Sequence, residues 1–103
     1  MIKSELERKL NLVGNACFVK YYNLFRNYTN HNITKLECIE TFIVDEVDFY
    51  KNADVRCSNA KMIFENSMQE EALKLILKSD SIDEDIKSIA REILKNSLYE
   101  NVI

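Results

Sequence analysis

Proline is missing from all 103 residues, tryptophan is missing too, and glycine occurs once, as Gly14. Without those residues the chain has almost none of the punctuation that hairpins and tight turns need, so strand-rich architectures are excluded and helix is the default. Histidine also occurs once, as His31, and the three cysteines, Cys17, Cys38 and Cys57, lie 21 and 19 residues apart. That excludes the close ligand pairs of zinc motifs and leaves no metal assigned. An odd cysteine count fits free thiols in a reducing compartment better than a disulfide framework. No stretch reaches the roughly 18 apolar residues of a membrane span, and the opening Met1-Ile-Lys-Ser-Glu-Leu-Glu7 lacks the apolar centre of a secretory signal. The expectation is a cytoplasmic protein, away from the membrane and without an organic cofactor, since no Gly-rich phosphate loop is present either. Charge of one sign is also lacking: 14 basic groups face 17 acidic ones for a net of −3, which excludes a general electrostatic hold on nucleic acid.

What the chain does have is apolar residues, 47% of the total, at helical spacing. Leu6, Leu10, Val13, Cys17, Tyr21, Leu24 and Tyr28 recur at steps of three or four, and Leu12, Phe18, Tyr22 and Phe25 widen the stripe. Residues 4–28 therefore predict one long helix with neighbours on two or three sides. Four places carry Ser or Thr with Glu three residues later, Ser4/Glu7, Thr34/Glu37, Ser67/Glu70 and Ser81/Glu84, and each predicts a capping box at a helix start. Ile33 before Thr34 and Cys38 after it suit a hydrophobic staple.

A second helix follows from Thr34, with Leu36, Ile39, Ile43, Val47 and Tyr50 on its stripe, Phe42 and Phe49 beside it, and an end somewhere in Asp48–Ala53. A third, about Asp54–Asn66, buries Cys57, Ala60, Ile63 and Phe64. A fourth, Met68–Lys78, is apolar nearly all round, and a fifth carries Ile82, Ile86, Ile89 and Ile93 with Ala90, Leu94 and Leu98 as a second seam. The expected architecture is one all-α domain over residues 1–103, a compact bundle of four to five helices around the long N-terminal helix. Residues 1–28 carry a net charge of +3, whereas 29–66 and 67–103 each carry −3.

Three patterns bear on function. Arg26-Asn-Tyr-Thr-Asn-His31 resembles the Arg-x4-6-His motif of the HEPN superfamily of small helical ribonucleases. The resemblance covers six residues near the end of the first helix, whereas that family has its motif late in the chain. It implies metal-independent RNA cleavage, with Arg26 steadying phosphate and His31 near the scissile bond, usually across a dimer interface. Arg56, Ser58, Asn59 and Lys61 are an alternative DNA-reading face on a helix-turn-helix built within 34–66, because Arg and Asn pair with base edges. Asp45, Glu46, Asp48 and Asp54 beside it oppose a phosphate backbone.

The leading expectation is a small regulatory or adaptor protein that binds another protein, with catalysis left open as the lesser alternative. It rests on the surplus of apolar surface on the first, fourth and fifth helices. A homodimer is expected with it, with Leu75, Ile76, Leu94 and Leu98 near the subunit contact. Lys, Ile and Asn supply 10, 11 and 11 residues, a bias associated with AT-rich coding, as in a bacterium of low GC content, a phage or another mobile element.

Overall fold

Gly14 stands at φ +92°, and the N-terminal stretch breaks there instead of running on as a rod. In the computed structural model, which describes the backbone of residues 1–102 and the side chains of residues 1–97, the expected long helix is three shorter ones: α1 (Lys3–Val13), α2 (Asn15–Lys20) and α3 (Tyr22–Thr29). Gly14 is the residue that tolerates this backbone, since a side chain at positive φ is strained. The second break, at Tyr21, is a kink. Its φ of −108° and ψ of 22° leave the helical range, yet its N–H still reaches the Cys17 carbonyl (3.0 Å) and its carbonyl still accepts from Phe25 (2.9 Å). Tyr21 is tied sideways to the next helix: its hydroxyl donates to Glu46 Oε1 at 2.8 Å and its ring lies 5.0 Å from that of Phe42.

The remaining elements are α4 (Lys35–Glu46), α5 (Tyr50–Glu65), α6 (Gln69–Lys78) and α7 (Glu84–Val102), with no strand among the described residues. Among the described residues seven helices thus replace the expected four or five. The radius of gyration, 13.1 Å, matches the roughly 13 Å of a compact domain this long.

The centre of the bundle is α5 and not the N-terminal stretch. It packs against α1, α3, α4 and α6, and its buried face is Ala53, Cys57, Ala60 and Ile63. Three of these are small, so neighbouring helices come close on several sides. The aromatic residues of α2 and α3 do fill the core as their spacing predicts. Phe18, Tyr22 and Phe25 are buried, with Phe18 5.8 Å from both Tyr22 and Phe64. No charged or polar residue is buried among the described residues.

Of the four capping boxes only Thr34/Glu37 forms, with both reciprocal bonds at 3.1 Å. Ser4 lies inside α1, and Ser81 precedes α7 by too much: α7 opens with the Ile86 and Lys87 N–H groups donating to the backbone carbonyl of Asp83. Ser67 has another role. It stands at φ +57° just past α5, where its N–H bonds Phe64 O and the N–H of Met68 bonds Ile63 O, the two bonds of a Schellman ending. His31 ends α3 the same way at φ +62°, with His31 N–H on Tyr28 O and Asn32 N–H on Asn27 O. Val47 ends α4 at φ +52°. A chain with one glycine thus closes three helices with side-chain-bearing residues in the left-handed region.

Candidate functional site

The α4 stripe predicted from the sequence fails at its first member, Leu36, which is exposed, and again beyond Glu46, because the helix stops there and later residues leave its register. Cys38, Ile39 and Phe42 are buried, but Val47, Phe49 and Tyr50, expected inside, point to solvent. Val44 is 76% exposed, Val47 89%, Phe49 79% and Tyr50 55%. Leu36, two turns before Val44 on α4, is exposed as well, but the exposed Glu40 stands between them on that face, so the apolar strip is the cluster Val44, Val47, Phe49 and Tyr50 at the α4–α5 turn. Acidic groups flank it: Glu40 and Asp45 are exposed, Glu46 holds Tyr21, and Asp48 is half-buried.

Asp48 fixes the turn. One of its carboxylate oxygens accepts from the Phe49 N–H (2.8 Å) and the Asn52 side-chain amide (3.1 Å), and the other lies 3.4 Å from Arg56 Nε. Those bonds, the Asn52 amide first, hold its carboxyl below the usual range. Val47 therefore stays at positive φ with its side chain in water, an outlier for a β-branched residue. Strain of this kind persists only where the surroundings over-determine it, and it clusters at functional sites.

Arg56 was expected on an exposed reading face, but it reaches inward. Its Nη1 donates to the Val13 carbonyl at 2.6 Å and lies 3.6 Å from Cys17 Sγ, and its guanidinium sits 5.8 Å from the Phe42 ring centroid. The other members of that face have intramolecular partners too. Ser58 donates to Asp54, the Asn59 amide donates to Val55 O, and the Lys61 ammonium lies 4.7 Å from the Tyr28 ring centroid. Asp54 also pairs with Lys35 at 2.8 Å, which holds its carboxyl below the usual range.

Arg26 and His31 are not brought together in one cavity. Arg26 is exposed on α3, where its Nη2 donates to Asn23 Oδ1 and its guanidinium lies 6.0 Å from the Tyr22 ring centroid. A cavity of about 340 Å³ opens beside it, and His31 is not among the residues lining that cavity. Of the expected subunit contact, Ile76 is 1% exposed and belongs to the core, Leu75 and Leu94 are half-buried against it, and the Leu98 side chain lies outside the described residues.

Cys38 and Cys57 are buried with their sulfurs 3.4 Å apart. The hydrogen bond between them, and then burial, push the Cys57 thiol above its ordinary range. Burial also raises the half-exposed Cys17. No group of three His, Cys, Asp or Glu converges as metal ligands among the described residues, and no described helix is long and apolar enough to cross a membrane.

Sequence reasoning missed the α4–α5 turn because it extended the α4 periodicity past the helix end. The available signal was Val44, which does not fit the Ile39–Ile43 stripe. No known protein family matches the chain, and no curated protein or solved structure matches it.

Proposed function

We propose that the protein is a small regulatory or adaptor domain that acts by binding another protein through the α4–α5 turn. One observation carries this reading: Val47, a β-branched residue, is held at φ +52° with 89% of its surface in water, between the exposed Val44 and Phe49. Neither stability nor solubility gains from that arrangement, whereas a partner would cover the side chains it presents. The segment 29–66 that carries the strip has a net charge of −3, so the complementary partner offers an apolar groove with a Lys- and Arg-rich rim. A second copy of the same surface would meet it with like charge. Self-association through α6 and α7 rests on less, because Leu75 and Leu94 are half-buried and Ile76 is in the core.

The test is quantitative capture from the native source with wild type and with a Val44→Ser, Phe49→Ser variant, both checked for unchanged unfolding temperature. The expected result is a protein enriched by wild type, lost by the variant and weakened as salt rises. Identical protein sets recovered by both baits would dispose of the reading.

A further inference from the structure

On the opposite edge of α3 from α4, the cavity beside Arg26 lies between α3, the start of α6 and α7, and its walls are mostly polar. Gln69 contributes a buried side-chain oxygen, Oε1, that accepts no hydrogen bond. A buried acceptor without a donor is costly, so a small shift of the Gln69 carboxamide that brings this oxygen to the N–H of a molecule in the cavity is favoured. Arg26 supplies a planar cation to the lining; among the described residues its Nη2 donates to Asn23 Oδ1 and its guanidinium lies 6.0 Å from the Tyr22 ring centroid, which leaves further N–H groups for a ligand. That fork suits a phosphate, which it engages through two parallel bonds. Asn23, Gln69 and Asn96 all line the space. Each carboxamide carries a donor and an acceptor side by side, the arrangement that matches the edge of a nucleobase. Tyr22 and Ile93 form the apolar part of the wall. About 340 Å³ is at the lower end of the roughly 300–1,000 Å³ typical of small-molecule sites, so the occupant is a small metabolite and not a polymer.

From these observations we infer that the α3/α6/α7 cavity binds a nucleoside monophosphate, with Arg26 on the phosphate and the carboxamides of Gln69 and Asn96 on the base. This site is separate from the α4–α5 turn, and neither depends on the other.

The experiment is a titration of the isotope-labelled protein with AMP, GMP, CMP and UMP, following the side-chain amide resonances of Asn23, Gln69 and Asn96, with inorganic phosphate and the parent nucleosides as comparison probes. At least one nucleotide is expected to saturate these shifts with Kd below about 1 mM. Phosphate alone and nucleoside alone should each bind about tenfold more weakly or worse, because each makes only part of the contacts. Arg26→Ala and Gln69→Leu should each weaken the nucleotide by about tenfold while the unfolding temperature holds or rises. Asn96→Ala, on a different helix, is the check against a local disturbance of α3 or α6. The inference is overturned if none of the four nucleotides gives saturable shifts, if phosphate alone binds as well as the nucleotide, or if all three variants bind as wild type does.

Discussion

Arg56 Nη1 lies 2.6 Å from the carbonyl oxygen of Val13, 43 residues earlier in the chain. Val13 ends α1, and its carbonyl is one of those a helix terminus leaves without an internal partner. The same guanidinium approaches Asp48 of the α4–α5 turn, so a single side chain joins the bend at Gly14 to the exposed apolar turn. Replacing Arg56 with Ala should cost about 2–3 kcal/mol, the scale of a charged hydrogen bond lost from a partly buried site. Gly14→Ala should cost roughly 1–3 kcal/mol for two reasons: φ +92° disfavours a side chain, and an added Cβ would stand 2.8 Å from Arg56 Nη1. Urea unfolding checks both. If Gly14→Ala is neutral, the backbone at the bend is not as described.

Val47→Gly should stabilise the protein by roughly 0.5–1 kcal/mol, since relief of left-handed strain exceeds the added freedom of the unfolded chain. In a domain of this size that raises the unfolding temperature by roughly 2–6 °C. Ser67→Gly, at φ +57°, should act in the same direction. A scanning calorimeter decides it, and a fall in unfolding temperature for both variants would contradict the helix endings.

His31→Gly should likewise be neutral or stabilising, because His31 serves as the left-handed residue after α3. RNA incubated with wild type and with this variant tests the ribonuclease alternative at the same time. Cleavage by the wild type that the variant lacks would revive that reading.

The acid side of the stability curve belongs to Asp48 and Asp54. Both titrate lower in the folded protein than in the unfolded chain, Asp48 chiefly through the Asn52 amide and Asp54 chiefly through Lys35. Their stabilisation is therefore complete above the unfolded value of about 3.9 and is lost as pH falls through the folded values. Lys35, raised by its bond to Asp54, keeps its contribution below about pH 10.4 and loses it above. Tyr21, raised first by burial and then by its bond to Glu46, is also lost on the alkaline side. A plateau from about pH 5 to 9 is expected, and Asp54→Asn should flatten both the acid limb and the Lys35 part of the alkaline limb. Unfolding midpoints across pH test this; an unchanged profile in Asp54→Asn would remove the Lys35–Asp54 pair from the account.

A thiol reagent should modify Cys17 well before Cys38 and Cys57, which are buried and become reachable only when the core opens. Mass spectrometry during the reaction gives the order. Early labelling of Cys38 would mean that α4 and α5 part readily.

Helix content and core identity were legible because they depend on local spacing: Phe18, Phe25, Ile39 and Ile63 all lie inside as their periodicity implies. Gly14 was visible as the lone glycine, but its role as a break depends on Arg56 arriving from α5, a contact no local pattern encodes. Ser67 shows the same limit from another side. Ser followed by Glu three residues on is a helix-start pattern, and the tertiary path used that serine to end α5 instead. The exposed turn was hidden by extending one stripe too far, and the cleft at Gln69 and Asn96 by the distance between α3, α6 and α7.

The most direct measurement is photo-cross-linking from position 49. A benzophenone amino acid placed at Phe49, and in a second protein at the exposed Lys20 of α2, is irradiated in the native source, and the yield of cross-linked product is compared. A discrete heterologous protein adduct is expected from position 49, absent from position 20 and lost when Val44→Ser is added. Equal, diffuse labelling from both positions, or only adducts between two copies of this chain, would contradict binding of another protein through the α4–α5 turn.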